Sequence, residues 1–226
     1  WARNIIQKWK DQAADSITEI PVVVGGRSLY DGLETKAVKN LADAATGKPL
    51  ARYGLATIAR IDEAMEIAAS DQSGWAKMSH EKRHEIISRA AQNLRDLRGD
   101  LIGVAAAEVG KCVSETDVEV SEAIDFAEFY PYSHRKLWRR QNLKFEGKGV
   151  GVIVPPWNFP IAIPAGGVIA SLVAGNNTIL KPAPQSTYCA WVLCQAFWDA
   201  GVPKSALQFL PCRNDPEASH LVAHPK

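Results

Sequence analysis

Cysteine is scarce in this chain. Its four cysteines, Cys112, Cys189, Cys194 and Cys212, lack metal-type spacing and are too few to staple 226 residues. Neither a zinc module nor a disulfide scaffold is therefore expected. An excess of charge of one sign is also missing. The formal net charge is +1, with the signs interspersed, which argues against nucleic acid or an anionic membrane as a partner. There is no internal repeat, no low-complexity linker and no basic-then-apolar leader ahead of the first helical segment. A reducing cytoplasm is the simplest compartment for such cysteine usage.

A membrane span is missing too. Gly149 to Leu180 carries no charged residue, but Pro155, Pro156, Pro160 and Pro164 interrupt its first half and Asn176-Asn177 closes the second. The uninterrupted part, Ala165 to Ala174, is far shorter than the roughly 20 apolar residues a spanning helix needs. The stretch reads instead as a buried strand, turn, helix and strand.

What is present suits a globular α/β protein. Hydrophobic residues make up 46% and charged residues 23%, enough for a core under an ordinary polar surface. Trp1 to Ser16 has an apolar side formed by Ile5, Ile6 and Trp9. Pro21 to Val24 reads as a strand turning at Gly25-Gly26, and Asp62 to Ser70 as a helix. The longest helical signal follows Ser79, with a stripe of Ile86, Ile87, Ala90, Ala91, Leu94 and Leu97. Asp100 is placed to cap a further helix ending at Gly110. Glu115 to Trp138 is another, expected to break or kink at Pro131. Gln141 to Lys148 reads as a strand or hairpin arm. Strands at Val150–Val154, Thr178–Leu180 and Gln208–Leu210 then alternate with helices at Ala165–Ala174 and Ser186–Ala200. That order implies a parallel sheet with right-handed crossovers, as in a Rossmann-like fold.

Chemistry concentrates where that alternation begins. Pro156-Trp157-Asn158-Phe159-Pro160 would project an amide from a tight turn at the mouth of the sheet, where a fixed donor can stabilise a developing oxyanion. The alternative is a turn asparagine that satisfies local backbone groups. Lys181, at a strand's carboxyl end, suits a nucleotide, or is a solvated strand-end lysine. Gly147-Lys148-Gly149-Val150-Gly151 precedes a strand rather than following one, so it is not read as a phosphate loop. His80 and His84 share a helix face without a third ligand. They are read as solvated, with no metal expected. Glu122 and Asp125 are read as ordinary surface charges. Cys189 and Cys194 are read as small core hydrophobes, and none of the four cysteines as a nucleophile.

Gly149-Val150-Gly151-Val152-Ile153-Val154 running into Pro-Trp-Asn-Phe-Pro, followed by Leu180-Lys181-Pro182-Ala183, resembles the aldehyde dehydrogenase superfamily. Ala200-Gly201-Val202-Pro203, Leu207 to Pro211, Gly74-Trp75 and Glu108-Val109-Gly110-Lys111 fit the same pattern. Ile20 to Gly26 is similar to the branch that oxidises glutamate semialdehyde, which includes the dehydrogenase module of proline utilisation A proteins. The resemblance covers the amino-terminal half of a typical member.

It implies that Asn158 is the catalytic oxyanion donor. It also implies that Val154, Pro155, Pro156, Trp157, Lys181, Ala183 and Pro184 line the groove for NAD or NADP. Pro184 stands where many NAD-preferring relatives carry a ribose-binding carboxylate, so the choice between the two cofactors is left open. The implied layout is a helical amino-terminal part at 1–138, an association flap at 139–149 and the first βαβαβ of the nucleotide-binding sheet at 150–226.

The implied reaction oxidises glutamate 5-semialdehyde, in equilibrium with pyrroline-5-carboxylate, to glutamate. Another semialdehyde, such as that of succinate, and a non-catalytic nucleotide-binding or association fragment remain as alternatives. A start at Trp1 and an end at Lys226 suggest a piece of a longer enzyme, inactive by itself. Its unfinished sheet edge and flap are expected to favour homo-oligomers.

Overall fold

The computed structural model describes residues 1–15, 17–42 and 48–226, leaving aside the side chains of 10–15. The chain opens with helix α1 (Ala2–Asp15) and five short strands: β1 (Thr18–Ile20), β2 (Val22–Val24), β3 (Arg27–Leu29), β4 (Thr35–Val38) and β5 (Ala51–Gly54). Helices α2 (Ile58–Ala69), α3 (His80–Asp96), α4 (Arg98–Val109) and α5 (Val113–Trp138) follow. The remainder alternates: β6 (Val150–Ile153), α6 (Ala162–Val173), β7 (Asn177–Leu180), α7 (Thr187–Asp199), β8 (Leu207–Phe209) and the short α8 (Ser219–Val222). Ser16, the expected end of the first helix, lies outside the described residues.

The strands form two sheets. The larger runs β3-β2-β8-β7-β6, with β6, β7 and β8 parallel and the β2–β3 hairpin added antiparallel. Val24 pairs with Arg27, leaving Gly25-Gly26 as a two-residue loop with both φ values positive (56° and 85°). A tight hairpin whose twist matches its strands requires that conformation, and glycine adopts it without a Cβ clash. The smaller sheet, β1-β5-β4, joins β5 parallel to β1 and antiparallel to β4.

Alternation along the strands sorts the side chains. Val22, Val24 and Ile179 pack with Ile61, Met65 and Ala68 of α2. Val23, Leu180, Leu207 and Phe209 face the layer built from α3 to α7. Both faces of the parallel strands are thus covered, as such strands require. Gln208, fully buried between β7 and the hairpin, accepts from the Gly25 amide (2.9 Å) and donates to the Ala64 carbonyl (2.8 Å).

Several expectations change. The edge of β8 is not left open, because β2 pairs with it. Residues 141–148 form no strand; they run exposed after α5. Pro131 lies inside one continuous helix rather than ending it; α5 packs along α3 and α6, and tertiary contact outweighs the lost amide. Asp100 caps nothing: it sits in the first turn of α4 and accepts from Lys8 of α1 (2.5 Å). The strands β1 to β5 lie within the amino-terminal part beside its helices. Among the described residues no helix is long and apolar enough to cross a membrane.

Two buried carboxylates organise the helical layer. The two crossover helices, α6 and α7, have no side-chain cap of their own. Glu108, at the end of α4, accepts from the Tyr188 and Cys189 amides (2.9 and 2.7 Å) in the first turn of α7. Glu119 of α5 accepts from the Ile161 and Ala162 amides (both 3.1 Å) at the start of α6. Each meets orphan donors at the positive end of a helix dipole. Burial nevertheless pushes the Glu108 carboxyl up to about 7, against the pull of its amide donors.

Two predictions follow from this packing. A Cβ on Gly103 would lie 2.1 Å from Cδ1 of the buried Trp9 ring that docks α1 on α4. Gly103→Ala gains about 1 kcal/mol of helix propensity but forces about 1–3 kcal/mol of overpacking. Denaturant unfolding should register a net loss, and a variant as stable as the parent would contradict the close approach. The second concerns pH. The unfolded Glu108 carboxyl titrates near 4.5 and the folded one near 7, so its contribution to stability falls as pH rises between those values and is flat above. The difference in unfolding free energy between wild type and Glu108→Gln should shrink by on the order of 3 kcal/mol across that window. His134, which burial holds down at about 4, titrates in the opposite sense but is common to both proteins. Parallel pH profiles would refute the assignment.

Candidate functional site

Asn158 sits in the turn between β6 and α6, at the carboxyl end of the sheet. Its backbone is held from outside the turn. Lys111, just after α4, donates to the Asn158 carbonyl (2.9 Å) and lies 4.2 Å from the centroid of the Phe159 ring. The same ammonium pairs with Glu119, whose other oxygen holds the start of α6. One ion pair therefore fixes the turn at both ends, and the neighbouring Pro160 is buried.

The Asn158 side chain is exposed and makes no hydrogen bond among the described residues. No bond from it to a local backbone group is found among the described residues. Its donors open into a cleft of about 580 Å³ walled by Trp157, Phe159, Lys111, Ser114, Glu115 and Glu122. Glu122, read from the sequence as an ordinary surface charge, is a wall of that cleft, whereas Asp125 is exposed outside it. Trp157 also borders a second cleft, of about 450 Å³, with Pro184, Gln185, Glu108, Val38 and Leu41. Both clefts lie at the strand ends where α/β sheets hold ligands.

The other groove residues do not share one wall. Val154 and Pro156 are exposed, Pro155 and Ala183 are buried, and Pro184 is half-buried. Lys181 is 4% exposed and donates to the Asn214 amide oxygen (3.1 Å). It is no solvated lysine: burial lowers its pKa, and it lies near Cys212. Only one of its three donors has a protein partner, and no carboxylate pairs with it among the described residues.

No thiol opens beside Asn158. Cys189, Cys194 and Cys212 are buried, and burial raises all three, Cys212 to about 11. Cys112 is exposed but does not wall the Asn158 cleft. His80 and His84 are half-buried rather than solvated. His80 stacks on Trp138 (4.8 Å), lies 4.9 Å from His134 and contacts Arg83. Burial and, secondarily, the Arg83 charge lower its pKa.

Sequence reasoning missed the supports. Glu119 carries no local signal: the amides it binds lie more than 40 positions away. Lys111 and Glu108 stood out only as part of a resemblance.

The chain is 34% identical over 218 residues to a 1-pyrroline-5-carboxylate dehydrogenase of Staphylococcus epidermidis, covering 91% of this chain and 41% of that protein. A Geobacillus protein of the same name is 30% identical over 220 residues, covering 92% and 42%. The chain thus spans less than half the length of these relatives. Among solved structures, proline utilization A from Bdellovibrio bacteriovorus superposes with a TM-score of 0.87 at 28% identity, covering 98% of this chain and 24% of that one. A Thermus 1-pyrroline-5-carboxylate dehydrogenase with bound NAD gives 0.86 at 25% identity, covering 99% and 45%. The model of the aldehyde dehydrogenase family matches residues 33–226, and the chain belongs to that family.

Proposed function

We propose that this chain forms part of an NAD- or NADP-dependent dehydrogenase that oxidises glutamate 5-semialdehyde, in equilibrium with pyrroline-5-carboxylate, to glutamate. The observation that carries the reading is the free Asn158 amide, held by its backbone at the mouth of a cleft. The substrate is proposed from the 1-pyrroline-5-carboxylate dehydrogenases among its relatives.

In this reading a thiolate attacks the aldehyde carbon, and the carbonyl oxygen becomes an oxyanion facing the Asn158 amide. A donor already in place stabilises that charge without reorganisation at the transition state. Trp157 and Phe159 flank it in the cleft. The nicotinamide, when bound, accepts the hydride. A buried Lys181 ammonium with two spare donors fits ribose hydroxyls; Val154, Pro155, Pro156, Trp157, Ala183 and Pro184 are assigned to the cofactor groove from the family resemblance, and of these Trp157 and Pro184 line a cleft in this structure. Pro184 offers no carboxylate to a ribose 2′-hydroxyl, so both cofactors are assigned. No thiol lines the Asn158 cleft among the described residues, so turnover requires a nucleophile from outside them. The exposed 141–148 segment is the surface we assign to homo-oligomer contacts, and the four unpaired cysteines suit a reducing cytoplasm.

In the complete enzyme, Asn158→Ala should lower kcat by roughly 10²–10³, the effect of losing one oxyanion donor, with cofactor affinity almost unchanged. A variant that kept kcat and lost NAD binding would show the role to be wrong. Residues 1–226 alone should give no NADH or NADPH from pyrroline-5-carboxylate. A rate near that of the complete enzyme would overturn the requirement for outside groups.

A further inference from the structure

The segment after β8 returns to pack on α2, and there it builds a cluster the dehydrogenase reading does not use. Leu221 of α8 is buried with Ile61 and Met65 of α2, so core packing sets the position of α8. On either side of that anchor, four residues apart, stand His220 and His224. His220 Nε2 lies 2.5 Å and His224 Nε2 3.4 Å from Oδ1 of Asp62 on α2. Both rings turn the same nitrogen to the same oxygen, and their planes are nearly perpendicular (89°) with centroids 5.6 Å apart.

We propose that Asp62, His220 and His224 form a binding site for a divalent transition metal, zinc foremost. The three ligand atoms lie within 4.8 Å of one another. A tetrahedral ion with bonds near 2.1 Å needs its ligands about 3.4 Å apart; His224 already stands at that distance from Asp62, and His220 at 2.5 Å needs to move outward by about 1 Å. Two imidazoles four residues apart plus one carboxylate from a second helix make a borderline donor set suited to zinc, copper or nickel rather than calcium or magnesium. A fourth position is open to water, because Asp62 is exposed and His220 is about one-third exposed.

Without metal, the His224 Nδ1 accepts from the Lys226 amide (3.2 Å), which leaves the proton on Nε2. Binding moves the proton to Nδ1 and gives up that single backbone contact. A bound ion would clip the 212–224 segment to α2. That segment carries Asn214, the partner of Lys181, so the clip would also fix the residue that covers the lysine.

Zinc titration of the purified protein by calorimetry tests the site. One equivalent should bind, each of Asp62→Asn, His220→Gln and His224→Gln should weaken it at least tenfold, and zinc should raise the melting temperature of wild type but not of the double histidine variant. Absence of binding, or unchanged affinity in the double variant, overturns the proposal. Cobalt on unaltered protein gives a reading that needs no variant. Visible bands without a thiolate charge-transfer band support the nitrogen and oxygen ligands, and a strong charge-transfer band would place the metal at a cysteine and overturn it.

Discussion

The Lys111–Glu119 ion pair is the contact on which the candidate site depends. Glu119 is almost wholly buried and Lys111 nearly so. Removing two charges from water costs several kcal/mol per ion, and their mutual attraction offsets this only when further hydrogen bonds complete the geometry. Here they do: two backbone amides reach the carboxylate, and a backbone carbonyl and an aromatic face reach the ammonium. Those same bonds define the Asn158 turn. The Asn158 amide is therefore free because its backbone is not.

The device is used twice. Both crossover helices lack an N-terminal cap from their own turns, and each receives a carboxylate from the neighbouring helical layer: Glu119 for α6 and Glu108 for α7. The loops that border the two clefts are thus registered against α4 and α5 rather than against the sheet alone. Trp157 stands between the clefts, so a shift of either helix start would alter both.

Much of this fold could be read from the sequence. The 3.6-residue stripe of α3, the glycine-ended α4 and the βαβαβ run were legible because their signals are local. The β1-β5-β4 sheet was not: its strands are three or four residues long, and β1 finds its partner more than 30 positions away. Pro131 did not break α5, because a local rule was outweighed by packing against α3 and α6. Asn158 was legible through its flanking prolines and aromatics. The burial of Lys181 under Asn214 and the two carboxylate caps were not, since each joins residues separated by 30 to 80 positions.

Amide hydrogen exchange on Glu119→Ala tests the central claim most directly. The account predicts that peptides spanning residues 156–166 lose protection, because the Ile161 and Ala162 amides lose their acceptor and Lys111 loses its counter-ion, while the β2–β3 hairpin and α1 exchange as before. Unchanged protection of that turn in a folded variant would contradict the account, placing the support of Asn158 elsewhere.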